Sequence, residues 1–562
     1  MRQILSTGQM REVDRLTVEI YKTPSLLLME SAANATLQTI TSCFKGGLEN
    51  RKALVLCGKG NNGGDGAALA RGLARSGIHT DVVLFGKLNE TDGDVQANFT
   101  TISQLASFHA GSAISPAPVT FHECEGVSQW ERMARPRGSY DLIVDALFGT
   151  GLTRPLDGVY LKVVEHLAML RTARERADDT KPLILSIDIP SGLNADTPEP
   201  IGAAVKADVT VTFTAPKPAN VLPPACEFNG RLVVSDIGSP ATLIDSLNPW
   251  LFLTEEDDVK RWLVSTRYTF NSYKNTHGHV LIAAGSKGYT GAAALCGSAA
   301  IRAGAGLVTV ATPASAQDAV AASVLPEVIT IPLAETDRGV ISDEATENFL
   351  RISQKASVVA IGPGLTSDDE RTRKFVRAIA ERRTRPMVID ADGLNCLAPW
   401  PSTLKGSDAL PLILTPHPGE MLRLIGTTDA SIMKDRAAVA REFATANRII
   451  LLLKGSRSLV AAPDGRVFVN PTGNPGLGTA GAGDTLTGLI AAFLGQAVAT
   501  LKDETDALAA TIAALYVGGV AGDLAANKFG MRTLIASDLR EHFSAAICAL
   551  DPMGEFPDDR SS

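Results

Sequence analysis

Toward its C-terminus the chain reads Asn474-Pro-Gly-Leu-Gly-Thr-Ala-Gly-Ala-Gly-Asp484-Thr-Leu-Thr-Gly488. Glycines let backbone N–H groups crowd toward an anion, and the start of a following helix adds partial positive charge there. An aspartate beside such a hole repels phosphate unless its task is to move a proton. Asp484 therefore reads as a general base in phosphoryl chemistry, not as part of a passive nucleotide cradle. The bland alternative is a helix N-cap after a glycine-rich turn.

A second set of candidates lies upstream. After an apolar run ending at Cys57 comes Gly58-Lys-Gly-Asn-Asn-Gly-Gly-Asp-Gly66. It matches neither G-x-x-x-x-G-K-[ST] nor G-x-G-x-x-G, and its unusual content is Asn61, Asn62 and Asp65. Two more apolar runs lead into Asp145-Ala-Leu-Phe-Gly-Thr-Gly151 and Asp188-Ile-Pro-Ser191-Gly192. In a parallel sheet, functional groups gather outside the C-terminal strand edges. Three polar strand ends converging by topology favour function over three separate helix caps. Oxygens of Asn62, Asp145 and Ser191 suit a monovalent or hard divalent cation, not zinc.

Alternating apolar runs and amphipathic segments must position these groups. In the first block, strands are expected at 53–57, 81–85, 141–145, 183–188, 209–213 and 231–234. Helices are expected at 24–37, 65–76, 94–105 and 159–170, with Thr23 as an N-cap before Pro24. The second block predicts strands at 280–284, 307–311, 358–361, 387–390, 412–415 and 449–454. Its helices are expected at 292–303, 368–381, 431–446, 484–494, 505–527 and 536–550. Buried strands alternating with helices imply parallel sheets covered on both faces, hence a two-domain α/β protein. The boundary is placed in 238–258, between domains 1–237 and 259–562, where Pro240, Pro249 and the acidic run Glu255–Asp258 interrupt the pattern. The acidic run reads as a solvated helix start. The stretch 116–138 has little periodicity, and 558–562 reads as a frayed tail.

Composition bounds the function. The 562 residues allow about three to four domains of ~150 residues. A formal net charge of −8 with no basic tract argues against a nucleic-acid binder. Cysteines at 43, 57, 124, 226, 296, 396 and 548 form no Cys-x-x-Cys pair, as in a reducing compartment. His277 and His279 have no acid or thiol neighbours to complete a zinc site. The N-terminus has no signal-peptide core, and the tract around 486–501 is too short and too interrupted to span a bilayer. The expectation is a soluble cytoplasmic protein with no membrane partner.

The upstream motifs, in this order and spacing and with Pro24-Ser-Leu-Leu-Leu-Met-Glu30, resemble the NAD(P)H-hydrate epimerase family over about the first 235 residues. The resemblance implies a Rossmann-like domain in which Asn61, Asn62, Gly63, Gly64, Asp65 and the segment Gly149, Thr150, Gly151, Leu152, Thr153, Arg154, Pro155 contact the damaged dinucleotide. It implies that Asp188 binds substrate near the reacting ring as a catalytic residue, and that Asn62, Asp145 and Ser191 hold a potassium ion. Ala33 stands where that family has glycine.

The second block carries Gly285-Ser-Lys-Gly-Tyr-Thr-Gly-Ala292, Gly362-Pro-Gly-Leu365, Asp390-Ala-Asp-Gly-Leu394, Thr415-Pro-His-Pro-Gly-Glu420 and Leu453-Lys-Gly-Ser-Arg-Ser458. Together with the Asp484 motif these resemble the ribokinase-like fold and, within it, the bacterial NAD(P)H-hydrate dehydratase branch, over roughly 253–550. The resemblance implies that Ala292, Gly364, His417 and Asp484 bind the hydrated cofactor, and that Lys454, Gly455, Ser456, Arg457, Ser458 and Gly483 bind the adenine nucleotide. Departures are Tyr273-Lys274-Asn275 for His-Lys-Gly, Ser458 for threonine, and Gly476–Thr479 for Gly-Met-Ala-Thr.

Together the two halves imply a cofactor-repair enzyme acting on NADHX and NADPHX with ADP as co-substrate and AMP and phosphate as products. K⁺ is expected in the first domain and Mg²⁺ in the second, in a homo-oligomer of four chains or more. Two other readings stay open: a ribokinase-like vitamin-alcohol kinase, and a first domain that only binds ligand.

Overall fold

The structure is a computed structural model that describes residues 1–110, 119–134, 139–175 and 182–551. The expected tail at 558–562 lies outside the described residues. The chain divides into two compact units, one of Gln3–Pro249 and one of Met1–Arg2 with Trp250 onward. The stretch 238–258 carries a helix, Ala241–Ser246, then a strand, Leu251–Leu253, and the start of the helix Glu256–Ser265 with its acidic first turn.

After an opening strand β1 (Arg2–Ile4) and a helix Thr7–Glu19, the first unit builds its sheet. The strands are β2 (Lys52–Cys57), β3 (His79–Leu84), β4 (Val119–Glu123), β5 (Leu142–Ala146), β6 (Leu183–Ile187), β7 (Val209–Phe213) and β8 (Arg231–Ser235). They pair in parallel in the order β4-β3-β2-β5-β6-β7-β8. The inner strands β2, β5 and β7 are almost wholly buried because helices cover both faces, as continuous apolar runs require. The order reverses between β2 and β5, which opens a crevice at their C-terminal ends. The strand β4 and a helix Val127–Met133 lie within the stretch that has little periodicity. Being a half-exposed edge strand, β4 lacks the apolar run of its neighbours.

The second unit contains β9 (Leu251–Leu253), β10 (His279–Ala283), β11 (Leu307–Pro313), β12 (Ile329–Leu333), β13 (Val358–Ile361), β14 (Met387–Ile389), β15 (Leu412–Leu414), β16 (Ile450–Leu453), β17 (Leu459–Ala461) and β18 (Val467–Val469). Their order is β9-β18-β17-β16-β15-β14-β13-β10-β11-β12. From β12 to β16 the pairing is parallel, and β16, β17 and β18 form an antiparallel meander. Helices Ala482–Glu504 and Ala507–Phe529 are long and apolar enough to cross a membrane by length and composition. The apolar tract therefore extends beyond the expected 486–501, and a second one follows it. Both helices are 67% buried inside the unit, and Leu489, Phe493 and Val517 sit in its largest apolar core.

Most expected helix boundaries move by a few residues, and three of the shifts have a clear local cause. Asn61–Arg75 begins four residues before the expected Asp65, so the polar loop is itself the first helical turn, capped by Gly60. Pro24 is the N-cap of Ser25–Cys43 in place of Thr23, because its ψ of 137° is extended. The expected helix 431–446 resolves into a 3₁₀ turn, Ala430–Asp435, and a helix, Arg436–Asn447, capped by Asp435.

Candidate functional sites

In the first unit the loops after β2 and β5 meet backbone to backbone. The Gly58 N–H donates to Ala146 O at 3.0 Å, and a Cβ on Gly58 would lie 2.0 Å from Leu147 O. A Cβ on Gly63 would lie 1.8 Å from Gly58 O. Only glycine allows this approach, which starts the helix Asn61–Arg75 at the crevice floor.

Asp145 is fully buried beneath it. Its carboxylate accepts from Ser186 Oγ at 2.7 Å, Ser191 N at 2.9 Å and Ser191 Oγ at 2.6 Å. Burial pushes its pKa up, and the Ser191 and Ser186 hydrogen bonds oppose that rise. Ser191 Oγ also accepts from Phe148 N at 3.0 Å, which ties the β5 and β6 loops together. Asn62 is 9% exposed, and its amide nitrogen has no hydrogen-bond partner among the described residues.

Gly149 joins the two sides of the site. A Cβ there would lie 3.3 Å from Asn62 Oδ1 and 3.4 Å from Asp188 Oδ2. Asp188 takes a left-handed φ of 65°, uncommon outside glycine. Half-buried Asp65 is raised well above the ordinary carboxylate range, by desolvation first and then by the charges of Asp188 and Asp14. Asn62 and Asp65 thus share the crevice with Gly149 and Asp188, while Asn61 and Gly63 belong to the same first helical turn and Gly64 packs against Met29 and Val95. Thr150, Gly151, Thr153, Arg154 and Pro155 follow on a partly exposed loop, while the Leu152 side chain belongs to the core.

Sequence reasoning missed Lys217. It is only 1% exposed, and its ammonium donates to Asp188 Oδ1 at 2.5 Å. Flanked by prolines in Pro216-Lys217-Pro218, it reads as an exposed turn lysine.

In the second unit, Asp484 stands in the first turn of the helix Ala482–Leu501, whose N-cap Gly481 has φ 83°. A Cβ on Gly481 would meet Leu295 at 2.5 Å, so the helix Thr290–Arg302 closes on this turn. The Ala482 N–H donates to Thr479 O at 3.4 Å, while first-turn N–H groups such as those of Gly483 and Asp484 have no intrahelical acceptor. Beside them lies a buried ion pair. Asp390, 1% exposed, accepts from Lys454 Nζ at 2.7 Å and from Thr487 Oγ1 at 2.6 Å. Glu420 Oε2 is 3.9 Å from the same ammonium. Burial works against the Lys454 charge, but Asp390 and Glu420 outweigh it and raise its pKa. Burial and the Asp390 charge push Asp484 up to about 6, with Lys454 pulling the other way.

The remaining predicted residues gather around this centre. His417 caps the helix Pro418–Ile425 through Nδ1, which accepts from Gly419 N at 3.0 Å, and Glu420 accepts from His417 N at 2.8 Å. A Cβ on Gly483 would lie 3.4 Å from Lys454 Nζ. A Cβ on Gly364, whose φ is 65°, would lie 3.0 Å from the Ala292 methyl. Gly455, Ser456, Arg457 and Ser458 form the turn between β16 and β17, where Ser458 Oγ donates to Gly455 O at 2.9 Å. Sequence reasoning also missed Arg436, which donates to Ser456 O at 2.8 Å and to Leu453 O and Lys454 O at 3.3 Å. His277 and His279 serve packing: His277 stacks on Tyr268, and His279 Nε2 lies 2.9 Å from Thr309 Oγ1.

Comparison with known proteins gives these two sites their context. Residues 25–219 match the YjeF-related protein N-terminus family, and residues 280–544 match the NAD(P)H-hydrate dehydratase family. The bifunctional NAD(P)H-hydrate repair enzyme Nnr of Moorella thermoacetica is 38% identical over 538 residues, which cover 95% of each chain. The chain belongs to the bifunctional NAD(P)H-hydrate repair enzyme family. The Escherichia coli enzyme of the same name is 32% identical, over 95% of this chain and 90% of its own. Among solved structures, the ADP/ATP-dependent NAD(P)H-hydrate dehydratase of Bacillus subtilis, co-crystallized with ATP and Mg²⁺, is 28% identical. It covers 53% of this chain and 99% of its own with a TM-score of 0.46. Family membership makes the chain an enzyme with epimerase and dehydratase domains, each on an α/β fold with a mainly parallel sheet, as expected. The vitamin-alcohol kinase reading is not favoured.

Proposed function

We propose that the two units act in sequence on hydrated NAD(P)H. The first interconverts the R and S epimers at the hydroxyl-bearing ring carbon. The second dehydrates the S epimer, consuming ADP and releasing AMP and phosphate. One observation carries the second step: Asp484 is held at about 6 beside an ammonium already committed to Asp390. Near neutral pH it is an ionised base poised to accept a proton.

Hydroxide is a poor leaving group, so the hydroxyl must be activated. Asp484 takes the hydroxyl proton while the oxygen bonds to the β-phosphorus of ADP and the bond to AMP breaks. The N–H groups of the first helical turn and the Lys454 ammonium stabilise the charge on the transferring group. The electron pair of the ring nitrogen then expels phosphate. Loss of a proton from the adjacent carbon restores the ring double bond. Ala292, Gly364 and His417 hold the hydrated cofactor, while Lys454–Ser458 and Gly483 hold the nucleotide. Among the described residues no cluster of three or more His, Cys, Asp or Glu is suited to a metal, so Mg²⁺ would enter on the nucleotide phosphates.

In the first unit, Asp188 acts on the epimerising carbon and Asn61–Asp65 and Gly149–Pro155 hold the dinucleotide. The oxygens of Asn62, Asp145 and Ser191 are of the hard-donor kind that suits a potassium ion, and all three residues are buried. Held by these three residues, K⁺ would supply fixed positive charge beside Asp145. The same reading gives a cytoplasmic homo-oligomer of four chains or more, with no nucleic-acid or membrane partner. The acidic balance and the buried placement of both apolar helices support the absence of nucleic-acid and membrane partners, and light scattering tests the assembly.

The test is nucleotide stoichiometry with purified NADHX. One AMP and one phosphate should appear per NADH formed. A stable phosphorylated product without NADH would overturn the proposal.

A further inference from the structure

We infer that Lys217 is a positioning residue of the first unit's reaction, acting on substrate only through Asp188. The inference rests on the epimerase reading given above. An ammonium has three donors, and each has a partner in the fold. Lys217 Nζ donates to Asp188 Oδ1 at 2.5 Å, to Thr212 Oγ1 at 2.9 Å and to Phe213 O at 3.2 Å. With 1% exposure and no donor left over, it has nothing to offer a ligand directly.

What Lys217 does offer is direction. Asp188 Oδ1 takes a second bond from Thr212 Oγ1 at 2.9 Å, so that oxygen is fully engaged. Oδ2 makes no hydrogen bond among the described residues and faces Gly149, where a Cβ would lie 3.4 Å away. One carboxylate oxygen is thus anchored to the sheet edge and the other is turned toward Gly149 and Asn62. The anchor has its own support. The Lys217 N–H donates to Asn220 Oδ1 at 2.9 Å, and Asn220 Nδ2 donates to Asp188 O at 3.3 Å and to Asn229 Oδ1 at 3.1 Å. Asn220 and Asn229 are buried, so this bracket fixes Lys217 and the Asp188 backbone together. The left-handed φ of Asp188 is held from both ends.

A group that only orients its neighbour has a distinctive signature in a double-mutant cycle. With the full-length protein and the isolated R epimer, Lys217→Met is expected to lower epimerisation kcat about 100-fold. KM should stay within about threefold, since no substrate contact is lost. On an Asp188→Asn background the same substitution should change the rate less than twofold. A Lys217→Met enzyme within twofold of the wild-type kcat would overturn the inference. So would a double variant whose loss equals the product of the two single losses. Should Lys217→Met fail to fold, the double variant still carries the test against Asp188→Asn alone, because neither charge is then left unpaired. A wild-type enzyme that leaves the R epimer untouched would instead defeat the epimerase reading itself.

Discussion

Asp188 directly follows strand β6, and Asp484 stands in the first helical turn after a glycine-rich segment, yet each carboxylate has a buried lysine close by and the two lysines are arranged differently. In the first unit the buried ammonium of Lys217 binds the acting carboxylate itself, and Asp188 is anchored through one oxygen. In the second unit the buried ammonium of Lys454 binds a neighbour, Asp390, and the acting carboxylate stands beside the pair. Asp484 therefore feels a second acid as well as burial and is pushed up to about 6. A direct pair fixes where a carboxylate points. A pair one residue removed leaves the carboxylate free to exchange a proton. The first arrangement suits a step that needs geometry, the second a step that needs a base.

The comparison breaks most sharply at Asp484. Asp484→Ala should lower dehydration about 10³-fold while epimers still interconvert, because the change removes only the base proposed for the second unit. A wild-type dehydration rate in this variant would contradict the assignment. Next comes Lys454→Met, which leaves Asp390 buried without its cation. Urea unfolding of the second unit should show a loss of about 3 kcal/mol, and adding Asp390→Leu should restore much of it. Equal stability of Lys454→Met and wild type would mean that the pair is not truly buried.

The pH dependence follows from the sign of the shift. Asp484 serves as a base only when ionised, and its pKa is raised to about 6. Dehydration kcat should be flat above that value and fall about tenfold per pH unit below it, as the base is protonated. A profile flat down to pH 5 would remove Asp484 from the rate-limiting proton transfer. The smallest effect is expected from Ser191→Ala, which deprives Asp145 of a hydroxyl donor at 2.6 Å. It should cost about 1–3 kcal/mol of first-unit stability and weaken any potassium dependence. An unchanged response to potassium would separate Ser191 from that ion.

Much of each site was legible because glycine, aspartate and strand ends leave local marks. The helix that carries Asp484 in its first turn and the polar strand ends at Asp145 and Asp188 follow from apolar runs broken by polar and glycine-bearing turns. The pairs that tune those acids were not legible. Lys217 lies 29 positions from Asp188, and Lys454 lies 64 from Asp390, so neither pair shares a local pattern. Topology alone brings them together, by placing β6 beside β7 and setting the ends of β14, β15 and β16 side by side. Short elements also escaped. The three-residue strands β17 and β18 are too brief for a period to register. The helix Thr7–Glu19 holds Met10 and Val13 inward among charged residues, and its clearest signal is the Ser6–Gln9 capping box.

Asp188 and Asp484 are the two carboxylates for which separate tasks in one repair sequence are proposed. The most direct measurement is the return of NADH absorbance from a mixture of R and S hydrates with ADP and Mg²⁺. Wild-type enzyme should restore all of it, and Asp188→Ala should rapidly restore only the S fraction. Equal rapid recovery of both epimers by Asp188→Ala would contradict the division of labour between the two units.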